Sequence, residues 1–296
     1  MRGKVVLITG ANSGVGFAAA AELARMGARI LMVCRDAVRG ADARIAVADV
    51  ATEAAPMLLL ADMSSQQSVR ALADELHRHF PRIDVLINNA GGIFSDRGLT
   101  IDGIERTFAT NHLGPFLLTN LVIDLVKAGT GGRIINVASE SYPGWLDFDN
   151  LQGEKRYGFL NAYFRSKLEN IIFSVELARR LKGSGVTVNC MSPGPTRTRF
   201  GDNMTGLPGF FPYVKKLLPG PETGARTLIY LASSPEVAGV SGWFFLRGRA
   251  RRIKPVTQDT EVAARLWRIS AELVGLTVDA LPAVPPGTET TSRSAA

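Results

Sequence analysis

Seven short apolar runs alternate along the chain with stretches of helical periodicity. No other feature limits the choice of fold so strongly. The runs cover residues 4–9, 29–34, 57–61, 85–88, 133–138, 186–191 and 243–246. They are rich in Val, Ile and Leu and show little polar alternation, as strands buried on both faces do. Between them, residues 15–26, 66–80, 103–126 and 163–181 carry helical spacing. This alternation predicts an α/β chain with a doubly wound, seven-stranded parallel sheet and helices on both faces. At 296 residues the chain is long enough for one large domain with a full core. No internal boundary is visible, so a single domain over 1–281 is expected. Residues 282–296 turn to Pro, Thr, Ser and Gly and read as a disordered tail. Residues 197–221 are rich in Gly, Pro and Phe, too apolar for a linker. They read as a substrate lid, with Phe210, Phe211, Pro212 and Tyr213 as pocket candidates, or as an irregular loop packed on the core.

The glycine-rich segment Thr9-Gly10-Ala11-Asn12-Ser13-Gly14-Val15-Gly16 joins the first strand to the first helix. Gly10 allows a tight turn, Gly14 lets backbone approach a pyrophosphate, and Gly16 permits close helix packing. The helix start then offers free N–H groups and the positive end of a dipole. At the end of the second strand stands Cys34-Arg35-Asp36. An acidic residue ending that strand would bind ribose hydroxyls and select NAD(H). Cys34 holds that place here, and Arg35 can pair with a ribose 2′-phosphate, so NADP(H) is preferred. NAD(H) would be accepted if Asp36 faced the ribose instead. Arg39 is either a second phosphate contact or a solvated charge. Asp62, ending the third strand, can accept from an adenine amino group or cap the following helix.

Tyr163 and Lys167 are four residues apart in a helical stretch, which places a phenol and an ammonium on one face. A neighbouring cation should lower the phenol pKa and fit it for proton transfer. A proton donor and a dinucleotide turn in one domain suggest hydride transfer at a carbonyl.

Thr9–Gly16, Asn88-Asn89-Ala90-Gly91, Asn111, Ser139, Tyr163-x-x-x-Lys167 and Pro193-Gly194 occur in an order and spacing that resemble the short-chain dehydrogenase/reductase family. The segments Thr110-Asn111-His112-Leu113-Gly114-Pro115-Phe116, Asn150-Leu151-Gln152-Gly153-Glu154-Lys155 and Ser166-Lys167-Leu168-Glu169-Asn170 are similar to its retinol-dehydrogenase-like branch. The resemblance implies a single-domain Rossmann fold. It implies that Tyr163 is the general acid and base, that Lys167 holds the nicotinamide ribose, and that Ser139 binds the substrate oxygen. Asn111 would orient Lys167 through a water. Gly10, Asn12, Ser13, Gly14, Val15, Gly16, Arg35, Asp62, Met63, Asn89, Ala90, Gly91, Pro193, Gly194, Thr196 and Thr198 would surround the cofactor. Ser141 is a rival for Ser139, which stands directly at a strand end. Gly92 departs from the branch, which more often has a bulkier apolar residue there. Pro195 stiffens the loop after the sixth strand.

The activity so implied is NADP(H)-dependent interconversion of an apolar aldehyde or ketone with its alcohol. Reduction of an activated C=C or C=N bond is one alternative, and a non-catalytic NADP-binding sensor or scaffold is another. A homodimer or homotetramer follows by analogy alone. The net charge of +7 suits an anionic ligand, but also a nucleic-acid or membrane surface. No zinc-ligand, RNA-binding or basic–aromatic pattern supports a nucleic-acid partner. The run Arg247-Gly248-Arg249-Ala250-Arg251-Arg252-Ile253-Lys254 reads as a solvated or interface face, with an acidic substrate or anionic lipid as alternatives. Cys34 and Cys190 end apolar runs and imply no disulfide framework. The first apolar run is too short for a signal region or a membrane span, so a soluble cytoplasmic protein is expected. His112 reads as a helix-packed residue. His77 and His79 lack an acidic cluster, so no metal site is expected.

Overall fold

The computed structural model describes residues 1–196 and 218–277. Residues 197–217, most of the expected lid, lie outside the described residues, as do the expected tail and Thr198. The strands are β1 (Val5–Thr9), β2 (Arg29–Cys34), β3 (Met57–Leu60), β4 (Val85–Asn88), β5 (Arg133–Val137), β6 (Thr187–Ser192), β7 (Phe244–Leu246) and β8 (Arg249–Arg251). The sheet order is β3-β2-β1-β4-β5-β6-β7-β8. The first seven strands pair in parallel, and each falls within a residue or two of an apolar run. The sheet differs from expectation by one strand. β8 pairs antiparallel with β7 and arises from the basic run. A tight hairpin can add an edge strand without any long apolar segment, so composition did not reveal it.

Alternate side chains of the strands point to opposite faces. Val6, Ile8, Ile30 and Met32 pack with helices α1 (Gly14–Arg25), α2 (Ala37–Ala48) and the later α8 (Pro221–Ser233). Leu7, Leu31, Val33 and Leu86 face the opposite layer. That layer holds α3 (Gln66–His79), the interrupted helix α4 (Arg106–Phe108), α5 (Gly114–Leu121) and α6 (Ile123–Lys127), then α7 (Phe159–Arg180) and α9 (Thr260–Leu273). Phe116 (α5), Phe173 (α7) and Trp267 (α9) lock these helices together, with ring centroids 5.0, 5.4 and 5.8 Å apart. Full burial of such a side chain contributes about 1.5–3 kcal/mol, which is how strands of three to six residues are held in place.

Between α4 and α5 the helix widens into a π turn, Ala109–Leu113. Such turns often mark functional positions. This one carries Asn111 and turns it toward the loop after β4. Gly114 follows, and a Cβ there would strike the carbonyl oxygen of Met63. Glycine therefore lets α5 press against the loop after β3.

Candidate active site

The carboxyl ends of the central strands open onto a cavity of about 530 Å³. Gly10 leaves β1 with φ +66°. A Cβ on it would come 3.0 Å from Ala90 Cα. A Cβ on Gly16 would collide with the Asn89 amide. The two glycines thus let the β1–α1 turn and the β4 loop touch backbone to backbone. Thr9 and Asn89 hold that contact. Thr9 Oγ1 accepts from the N–H groups of Asn89 and Ala90, each at 3.0 Å. Asn89 Nδ2 donates to the carbonyls of Thr9 (2.8 Å) and Gly10 (3.1 Å).

Asn12, Ser13, Gly14, Val15, Ala90 and Gly91 line the cavity, and Gly16 lies behind them. Ser13 opens α1 without a side-chain capping bond. The first N–H groups of this 12-residue helix therefore lack a side-chain acceptor at the cap, the usual setting for a phosphate.

Arg35 is exposed at the end of β2 and lines the same cavity. It has no hydrogen-bond or ion-pair partner among the described residues. Asp36 is committed elsewhere. Its Oδ1 accepts from the Arg39 N–H at 3.0 Å, capping α2, and its Oδ2 accepts from Arg39 Nε at 2.9 Å. These two bonds hold the Asp36 carboxyl below its usual range. The available charge at the end of β2 is accordingly positive. Asp62 Oδ1 accepts from Ser64 N (2.9 Å) and Ser64 Oγ (2.7 Å), which folds the turn. The cap of α3 is Ser65. Met63, beside Asp62, is 6% exposed and reaches the cavity. Pro193, Gly194, Pro195 and Thr196 also line the cavity.

Tyr163 and Lys167 occupy the first turns of α7 and both reach the cavity. Lys167 Nζ donates to Val137 O at 3.1 Å and stands 5.4 Å from the Tyr163 ring centroid. Ser139 stands by the Tyr163 hydroxyl, where its side chain favours the phenolate. Ser141 supports Ser139 by donating its N–H to Ser139 Oγ at 3.1 Å. Asn111 is fully buried. Its Oδ1 accepts from Gly92 N at 2.8 Å, and its Nδ2 donates to Gly92 O and Ser166 Oγ, each at 2.9 Å. A Cβ on Gly91 would lie 3.2 Å from Asn111 Oδ1 and 3.6 Å from Lys167 Nζ. Glycine at 91 keeps the space between those two groups open.

Burial reverses the direction expected for Tyr163. The phenol is pushed up to about 12 by desolvation, with the Ser139 side chain acting the other way. Lys167 is driven down to about 8 by its own burial. The helix spacing brought the pair together as expected, but a buried cation above a ring does not offset the loss of water around the phenolate. Tyr163 therefore keeps its proton at neutral pH.

Some cavity residues escaped the sequence reading. Ile93 and Phe94 form an apolar wall. The Phe94 ring lies over Gly92, where a Cβ would come 3.0 Å from Phe94 Cζ, and Arg106 stacks on it at 5.0 Å. The Gly92 departure now has a reason, since a larger residue would displace Phe94. The paired glycines before an Ile-Phe step were the available signal. Gly224 of α8 packs behind cavity residues. A Cβ there would come 2.8 Å from Thr196 Cγ2 and 3.1 Å from Pro193 Cβ. His112 is packed as expected, stacked on Phe108 at 5.5 Å with Nε2 2.9 Å from Ser270 Oγ. Burial pushes its pKa down to about 3, so it stays neutral.

Residues 4–206 match the family described as short chain dehydrogenase. The chain belongs to that family. Within it, the chain is 44% identical over 294 residues to Retinol dehydrogenase 14 of Homo sapiens, covering 93% of this chain and 88% of that protein. This dehydrogenase sits in the retinol-dehydrogenase-like branch and is an oxidoreductase acting on CH–OH and C=O groups. A solved protein from Mycobacterium paratuberculosis superposes with a TM-score of 0.74 and 33% identity, covering 93% of this chain and 94% of the other. A short chain dehydrogenase from Shigella flexneri, complexed with NADP, shares the fold at a TM-score of 0.66 and 19% identity, covering 84% and 98%. Among the described residues, no helix is long and apolar enough to cross a membrane.

Proposed function

We propose that this dehydrogenase interconverts apolar aldehydes or ketones with their alcohols, prefers NADP(H), and uses Tyr163 as its acid and base. The observation that carries the reading is the convergence of Tyr163 and Lys167 in the cavity that the glycine turn opens, with Ser139 beside the Tyr163 hydroxyl. The cradle fits a dinucleotide. Its glycines leave no Cβ to obstruct a pyrophosphate, the start of α1 has free N–H groups, and Arg35 brings an uncommitted cation to the ribose end. In this reading Gly10, Asn12, Ser13, Gly14 and Val15 hold the pyrophosphate, and Asp62 and Met63 meet the adenine. Asn89, Ala90, Gly91 and Lys167 meet the nicotinamide ribose, and Pro193, Gly194, Thr196 and Thr198 the nicotinamide. The bound nicotinamide supplies or accepts the hydride.

The chain's own residues do the rest. Ser139 and Tyr163 bind the carbonyl oxygen from one side and fix its distance to the hydride position. Tyr163 gives its proton to the oxygen as negative charge develops there. A phenol raised to about 12 suits reduction at neutral pH, because the acid form is fully populated. Oxidation needs the phenolate, so it should accelerate as pH rises. Ile93 and Phe94 exclude water and favour apolar substrates. The name of the 44% identical human relative agrees with an apolar alcohol.

The test is a panel of aldehydes, ketones and alcohols with both cofactors, followed at the nicotinamide absorbance. Turnover of apolar carbonyls with NADPH well above NADH is expected. With NADPH deuterated at the nicotinamide, the label should appear on the carbinol carbon. Label on a former C=C or C=N carbon would move the activity to that class. Bound cofactor with no turnover across the panel would leave only a sensor.

A further inference from the structure

The β7–β8 hairpin takes no part in the cavity, yet it carries the densest charge of the described chain. Arg247, Arg249, Arg251 and Arg252 are all exposed. None of their side chains has a hydrogen-bond or ion-pair partner among the described residues. Register puts Arg249 opposite Leu246 and Arg251 opposite Phe244, so both project from one face of the hairpin. The turn is Arg247-Gly248, with φ +52° and +73°. A two-residue turn with both residues left-handed selects Asn-Gly or Asp-Gly, and Arg247 is the one described non-glycine residue with positive φ. The strain is held in place by Gly248 N, which donates to Thr227 Oγ1 of α8 at 3.0 Å. A cation is thus fixed at the tip of a tied hairpin in a conformation that disfavours it, and such outliers point to function. Trp243 enters β7 40% exposed, and half-buried Ile253 follows the arginines.

Edge strands often carry charge simply to keep other strands away. That accounts for Arg249 and Arg251 on β8. It does not account for arginine in the strained turn or for the exposed indole at the other end of β7. A substrate role fails on position, because none of these residues lines the active-site cavity. What remains is a row of unpaired arginine side chains from the turn to the open end of the hairpin, where Trp243 is exposed, the composition that settles at a membrane–water interface. We propose that the β7–β8 hairpin docks the protein onto an anionic lipid surface.

The experiment is co-sedimentation of the full chain with phosphatidylcholine vesicles, with and without phosphatidylglycerol. Binding is expected only when the anionic lipid is present, and it should vanish at high salt. Replacing the arginines together (Arg247→Gln, Arg249→Gln, Arg251→Gln and Arg252→Gln) should weaken it by a factor on the order of a thousand. Turnover of a water-soluble aldehyde should not change, which also shows that the variant is folded. The singly substituted Arg247→Asn relieves the turn strain and should raise thermal stability while it weakens vesicle binding. Equal binding to neutral and anionic vesicles, or no loss in the quadruple variant, would overturn the proposal. Tight binding to heparin or DNA without vesicle binding would assign the patch to another polyanion and overturn it equally.

Discussion

The two ends of the sheet handle charge in opposite ways. At the amino end, Asp84 is 2% exposed and fully engaged. Its oxygens accept from Lys4 Nζ (3.1 Å), Val5 N (2.9 Å), Arg82 Nε (3.3 Å) and Thr130 N (3.3 Å). Burial alone would raise its carboxyl, but these donors together hold it below the usual range. At the carboxyl end, Lys167 is 4% exposed with one carbonyl as its hydrogen-bond acceptor, and Arg35 has no partner among the described residues. One end is built to be complete by itself. The other leaves donors and cations uncommitted, as a site that awaits an anionic ligand must. Perturbed groups gather there, with Tyr163 pushed up and Lys167 pushed down by the same loss of water.

This contrast can be broken from either end. The largest effect is expected from Tyr163→Phe. Turnover should fall by roughly 10²–10⁴-fold while NADPH affinity and thermal midpoint stay near those of the wild type, measured by fluorescence titration and melting. Unimpaired turnover would remove Tyr163 from the chemistry. Next comes Asp84→Ala at the opposite end. It should lose about 2–3 kcal/mol in urea unfolding, because Lys4 and Arg82 are left beside a buried void. The exposure of those two partners keeps the loss at the low end. The kcat of the remaining folded enzyme should be unchanged. Since the folded carboxyl is depressed, its stabilisation is present above the unfolded carboxyl pKa and disappears as pH falls through the folded value. The gap between variant and wild type should therefore close in acid.

Arg35→Ala should weaken NADPH by roughly 10–100-fold and leave NADH almost untouched, since the lost contact is a charge-assisted one to the 2′-phosphate. Equal weakening of both cofactors would place Arg35 outside the phosphate site. The smallest effect sharpens the comparison in the layer behind the site. Glu169 lies on α7, fully buried, with Arg165 Nε 3.7 Å away. Burial raises its carboxyl to about 8, Arg165 opposes this, and buried Glu105 adds to it. A carboxyl raised on folding favours the protonated state, so wild-type stability should decline as pH climbs from the unfolded carboxyl range to about 8. Glu169→Gln should flatten that decline, seen as thermal midpoints that converge in acid and separate in mild alkali. Parallel profiles would show that Glu169 is ionised throughout.

Much of this was legible in the chain. The apolar runs located seven strands because a strand buried on both faces has no room for polar alternation. Gly10 and Gly16 marked the turn because only glycine tolerates the approach of Ala90 and Asn89. Tyr163 and Lys167 announced their shared face through helical spacing. Other properties were hidden because they depend on partners far away in sequence. Asp36 could be read as a ribose ligand until Arg39 was seen to occupy both its oxygens. Phe94 became a wall only through Gly92 and Arg106. β8 required the left-handed backbone at Arg247-Gly248.

Periodicity and glycine placement, properties of neighbouring residues, thus determined the fold, the glycine turn after β1 and the shared helix face of Tyr163 and Lys167. Burial belongs to the assembled molecule, and it was the largest influence on how tightly Tyr163 holds its proton and on how far the Glu169 carboxyl is pushed up. Solvation depends on everything packed around a group, and no local pattern of residues encodes that sum.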